Sequence, residues 1–320
     1  MPTSYAHYKF GRRVVEALPQ EYKYFAYEYP EYFYPALHGP DTAFYLLWNS
    51  KITKMGDDLH KLSGKQYFQQ VGTVILNEMA GEVPNTIDLD HKGAQAFKQL
   101  VQFAQGKMRK GIVGKSYILG KRTDEKFGQW TTRSAERKLA YLYGYMCHYA
   151  LDRIGHKFIN EYANYDMGEH FKIEAEFDRL LMAMDGYNPL THKVTDHIHP
   201  SMELAETAKV FFPGATTNEM FEALTMQKYF LNLFASKGRF PRYFYRTATN
   251  IIGMKNHAEL YMAPDPDPTC YASNEVLLDI FEQAIPEAVD FITNFFDRME
   301  GKKEWDERFN WNFDGELVEE

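Results

Sequence analysis

Cysteine is nearly absent: Cys147 and Cys270 are the only two in 320 residues, so no disulfide framework holds the chain and a reducing compartment suits it. Also missing is any run of about 18 apolar residues, the length that spans a bilayer. The opening stretch MPTSYAHYKFGRRVVEAL lacks the charged start, apolar core and cleavage site of a secretory signal. The expectation is a cytoplasmic protein with no transmembrane segment. Positive charge is in deficit, with 36 Lys and Arg against 44 Asp and Glu and a formal charge of −8. That balance argues against an extended nucleic-acid surface. No β alternation of useful length occurs.

Apolar and aromatic residues are plentiful, at 45% and 16% of the chain, which is enough for a sizeable core. Their spacing predicts helices over 6–18, 52–62, 65–79, 91–108, 134–163, 168–184, 200–210, 217–236, 239–252 and 273–299. The fold class expected is therefore all-α, a multi-helix bundle forming one domain over 1–320. Residues 1–185 carry the chemistry and 186–320 form a helical C-terminal part. The Gly/Lys-rich stretch 110–129 is the least regular, and its basic residues read as a solvated loop. His38-Gly39-Pro40-Asp41 has the punctuation of a tight turn, with Asp41 placed to cap a following helix. The tail DERFNWNFDGELVEE is expected to pack only through its aromatic residues.

The chemistry-bearing pattern is a rhythm of four. His148, Asp152 and His156 follow one another at that step, and His170, Glu174 and Asp178 repeat it. Each step of four advances about 400° around an α-helix, so three such positions stay on one face. They also rise roughly 12 Å along the axis, too far for His148 and His156 to share one ion whose bonds are about 2 Å long. Two metals are expected, with the carboxylate of Asp152 between them. Imidazole and carboxylate without thiolate suit zinc best, with manganese and iron left open. Such cations outweigh the charge of Asp41, Asp152 and Glu174, so a phosphate can bind despite the acidic whole.

Other histidines, His38, His192, His197 and His199, lie in predicted loops with no assigned partner, and His197 and His199 are read as surface residues. Cys147 points about 100° away from His148 and reads as a small buried apolar group. The aromatic stretch 22–34 reads as core in preference to a cage for a choline-like cation.

The motifs resemble the zinc-dependent phospholipase C family, whose helical fold is shared with the fungal single-strand nucleases. They are AHYKFG around His7, HGPD ending at Asp41, MGDDLH ending at His60, YLYGYMCHYALDRIGHKFI with His148, Asp152 and His156, and HFKIEAEFD with His170 and Glu174. The likeness covers residues 5–180. It implies two or three Zn²⁺ ions per chain. Asp41, His60, His148 and Asp152 match the ligands of one ion, and His156, His170 and Glu174 those of a second. His7, an oxygen of Asp152 and the N-terminal amine match those of a third. Asp41 also matches the carboxylate that orients or deprotonates the attacking water, and Asp178 is placed to hold a ligand imidazole. The chain departs from the family where secreted members expose an N-terminal Trp, since it begins Met1-Pro2, and no appended lipid-binding sandwich domain is expected.

The function so implied is a zinc-dependent phosphodiester hydrolase of the phospholipase C type, with a phosphodiester such as phospholipid as substrate. Two alternatives stay open: a nuclease or nucleotidase on the same metal core, and a non-catalytic scaffold stabilised by metal. The oligomeric state is unassigned.

Overall fold

Apolar side chains at three- and four-residue spacing turn most of the chain described by the computed structural model into helix. The described residues are 4–79, 133–234, 259–260, 262–263 and 265–319. In chain order the helices are α1 (Ser4–Ala17), α2 (Gln20–Glu28), α3 (Pro30–Ala36), α4 (Ser50–His60), α5 (Gly64–Met79), α6 (Arg133–Tyr162) and α7 (Met167–Met184). After them come α8 (Met202–Ala208), α9 (Thr217–Phe234), α10 (Tyr271–Thr293) and α11 (Phe295–Met299), with 3₁₀ turns at Gly39–Tyr45, Lys209–Phe211, Pro268–Cys270 and Glu307–Asn310. Among the described residues there is no strand, only an isolated antiparallel bridge between Trp311 and Leu317. The fold is all-α. No helix among the described residues is long and apolar enough to cross a membrane.

Helix starts follow local chemistry. Asn49 accepts from the Ile52 amide at 3.3 Å, Asp166 from Glu169 at 2.8 Å and Ser201 from Leu204 at 3.0 Å, each satisfying an amide that helix geometry leaves without a partner. The Asp41 expectation is corrected here: Asp41 caps no α-helix and sits inside the 3₁₀ turn Gly39–Tyr45, whose N-cap is His38. The helix predicted over 273–299 is divided at Asn294 into α10 and α11. The helices predicted over 91–108 and 239–252, and the irregular stretch 110–129, lie outside the described residues.

The centre of the molecule is α6, a 30-residue helix about 45 Å long. Every side chain from Leu139 to Cys147 that is apolar is buried, on all faces, which marks an interior helix. Packed around it are α3 and α10, then α1, α5 and α8. Cys147 is buried as expected, and so are Phe25, Tyr29, Tyr32 and Phe33 of the aromatic stretch. An interior helix normally carries few polar side chains. The buried polar residues on this one, His148, Asp152 and His156, therefore need partners from the surrounding elements.

Candidate metal centre

Four parts of the chain bring polar side chains to the face of α6 that carries the rhythm of four. α1 contributes His7, the 3₁₀ turn contributes Asp41, the last residue of α4 is His60, and α7 contributes His170 and Glu174. All eight residues singled out in the sequence are buried, from fully for His148 to 5% exposed for His156 and His170.

Two groups form. In the first, His7, Asp41, His148 and Asp152 offer ligand atoms that all lie within 4.8 Å of one another; in the second, His156, His170 and Glu174 do the same. Asp152 faces His7 Nε2 with Oδ1 at 3.0 Å and His148 Nε2 with Oδ2 at 2.9 Å. The rings of His7 and His148 stack at 4.4 Å. His60 reaches the first group through Asp41, whose Oδ1 is 3.1 Å from its Nε2. Grouping by distance thus places His7 with the Asp41 set and His60 at its edge, whereas the resemblance implied the reverse. In the second group Glu174 Oε1 stands 3.3 Å from both His156 Nε2 and His170 Nε2.

The donor set fits a cation. Among the described residues, His148 Nε2, Asp152 Oδ2, His170 Nε2, Glu174 Oε2 and His7 Nδ1 are buried and make no hydrogen bond, although His148 Nε2 and Asp152 Oδ2 lie 2.9 Å apart. Buried polar atoms are rarely left so unless something else engages them. The opposite nitrogens are held by the protein. His60 Nδ1 donates to Gly56 O at 2.7 Å, His148 Nδ1 to Leu37 O at 3.1 Å, His156 Nδ1 to Phe313 O at 3.1 Å and His170 Nδ1 to Asn160 Oδ1 at 2.9 Å. A carbonyl can only accept, so each ring carries its proton outward and turns Nε2 inward as a lone-pair donor.

Charge agrees with this. Burial alone would raise the carboxyl of Asp152, but His148, His156 and His7 outweigh it and hold the group well below its ordinary range. Burial also opposes ionisation of Asp41, where the His60 hydrogen bond and the His148 ring prevail. Glu174 is held at about 2 against its burial by His170 and His156. His156 is raised to about 9: burial would lower it, but Asp152 and Glu174 win. The carboxylates are thus anionic and call for positive charge, which protons on imidazole or a divalent cation can supply.

Gly39 of the HGPD turn has φ +47°, and a Cβ there would lie 2.2 Å from His148 Cδ2. Only glycine combines that backbone with so close a ring. Asp178 accepts from the amides of Tyr5 and Ala6 at 2.9 and 2.7 Å, so it holds the start of α1 instead of a ligand imidazole. Burial pushes its carboxyl up to about 7 despite those bonds.

The loop histidines His38 and His197, expected without a partner, pair with each other. His38 is fully buried and its Nε2 is 2.9 Å from His197 Nε2, while the His197 ring stacks on Tyr8 at 4.6 Å. Burial keeps both imidazoles neutral, so one donates to the other. Asn160 was also not singled out, although it continues the rhythm 148, 152, 156 by one more step.

A family model described as zinc-dependent phospholipase C matches residues 6–222. No curated protein and no solved structure matches the chain.

Proposed function

The chain belongs to the zinc-dependent phospholipase C family, and from that membership we propose that it is a zinc-dependent phosphodiester hydrolase acting on phospholipid. The observation that carries the reading is the pair of buried His/carboxylate groups against α6, with Asp152 facing two imidazoles of the first group and lying one helical turn from His156 of the second. His7, Asp41, His148 and Asp152, with His60 beside Asp41, hold one part of the cluster; His156, His170 and Glu174 hold the other.

Bound zinc lowers the pKa of a water from about 15.7 to about 7 and clamps phosphoryl oxygens. The protein does the rest. The Asp41 carboxylate, kept ionised by His60 and His148, accepts a proton from the attacking water or fixes its direction. Oxygen then attacks phosphorus, the bond to the glycerol oxygen breaks, and that oxygen takes up a proton, leaving a phosphorylated headgroup and a diacylglycerol. The inward Nε2 atoms are fixed before substrate arrives by the carbonyls of Gly56, Leu37 and Phe313, so little reorganisation is needed. The net charge of −8 and the two buried, unpaired cysteines favour this branch over a disulfide-bonded nuclease acting on a polyanion.

Asp41→Asn tests the reading. Turnover of phosphatidylcholine in mixed micelles, measured at saturating zinc, should fall by about 10²–10⁴. Retained turnover would remove Asp41 from catalysis, and cleavage of single-stranded DNA in place of lipid would assign the core to a nuclease.

A further inference from the structure

The C-terminal segment lies beyond the family match at residues 6–222, yet it meets the metal centre at several atoms. Phe313 O accepts from His156 Nδ1 at 3.1 Å. Asp314 O accepts from Asn160 Nδ2 at 3.3 Å, and the other end of that amide, Oδ1, accepts from His170 Nδ1 at 2.9 Å. Phe313 N donates to the carbonyl of His60 at 3.0 Å. One stretch of backbone therefore bonds to His60 and His156 directly and reaches His170 through Asn160.

This stretch is pinned from both sides. Gly64 N donates to Trp311 O at 2.9 Å, and the Tyr149 hydroxyl reaches the carbonyls of Arg308 and Trp311, each at 2.8 Å. Phe313 is fully buried, with its ring 4.9 Å from Tyr149 and 6.0 Å from each of His60 and His148. Gly315 has φ +75°, and a Cβ there would lie 2.5 Å from Lys157 N and 2.8 Å from Arg153 O. The segment thus lies directly on the backbone of α6, one turn beyond Asp152.

We propose that residues 311–315 and Asn160 form a positioning clamp for the second ligand group. Phe313 O sets the ring of His156, and the Asp314–Asn160 link sets the ring of His170, so both present Nε2 to one ion. The proposal rests on the metal reading above. A clamp of this kind acts on affinity, because an imidazole free to rotate gives up the ordering that its outward hydrogen bond had supplied. Asn160 is a positioning residue, since it acts through the outward nitrogen of His170.

The test is competition of zinc-loaded protein against a chromophoric chelator, reading the affinity of each zinc, with thermal melting alongside. Asn160→Ala and Gly315→Val should each weaken one zinc by about 10–100-fold and leave the remaining zinc within about twofold. The double variant should be no worse than the weaker single one, since both break one chain of contacts. Asn160→Asp keeps the acceptor for His170 and should recover part of the loss seen with alanine. Unchanged affinities in Asn160→Ala, or equal weakening of every zinc in step with a lower Tm, overturns the clamp. A wild-type chain that holds no zinc overturns the metal reading and the clamp together, whereas a zinc-binding wild type with insensitive variants overturns the clamp alone.

Discussion

Asp152 presents one oxygen to His7 and the other to His148 while lying one helical turn from His156, so a single side chain connects the two ligand groups. Its burial would be costly for a lone carboxylate and is tolerable only because cations or protonated rings surround it. At the same scale Gly39 sets how closely the Asp41 turn approaches His148. Gly39→Ala places a methyl into the imidazole and forces a left-handed backbone on alanine. We expect a loss of about 1–3 kcal/mol in stability together with one zinc per chain, read by calorimetry and elemental analysis. An alanine variant with wild-type Tm and zinc content would contradict that role. The helix ligands were legible here because a step of four maps onto one helical face. Asp41 and His60, which come from separate elements, needed the family motifs to be found.

Among elements, α6 and the C-terminal segment depend on each other. The segment is anchored by a network in which Asp290 of α10 receives Arg298 at 2.5 Å, Arg308 at 2.6 Å and Lys303 at 2.6 Å, and Asp306 receives Arg308 at 2.7 Å. Arg298 has no exposed side-chain surface, so Asp290→Asn leaves a buried cation short of charge, at a cost of about 3 kcal/mol. Burial opposes ionisation of Asp290, but Lys303, Arg298 and Arg308 hold its carboxyl far below the usual range. A depressed folded pKa contributes stability above the unfolded value, near 4, that is lost as pH falls toward the folded one. The gap in stability between wild type and Asp290→Asn should accordingly be full at pH 7 and shrink below about pH 4, as urea unfolding at both pH values would reveal. A gap independent of pH would show that the charge of Asp290 is not what anchors the segment. None of this was readable from the tail sequence, where only the aromatics of DERFNWNFDGELVEE stood out. Its hydrogen bonds to the centre are made by backbone groups, which leave no trace in residue type.

Taken as a whole molecule, the centre is assembled from parts of the chain far apart in sequence: α1, the 39–45 turn, α4, α6, α7 and the tail at 311–315. The all-α class and most helix positions were legible, since apolar periodicity is a local property that packing only reinforces. The burial of His38 was not, because it depends on His197, 159 residues later in the chain, and local sequence carries no record of such a contact. Asn160 lay one step beyond a rhythm already recognised and could have been found by continuing it. The measurement closest to the central claim is zinc per chain, by elemental mass spectrometry on untagged protein purified without chelator and again after reconstitution. Two or three zincs per chain is the predicted result; a chain that holds none after reconstitution contradicts the account.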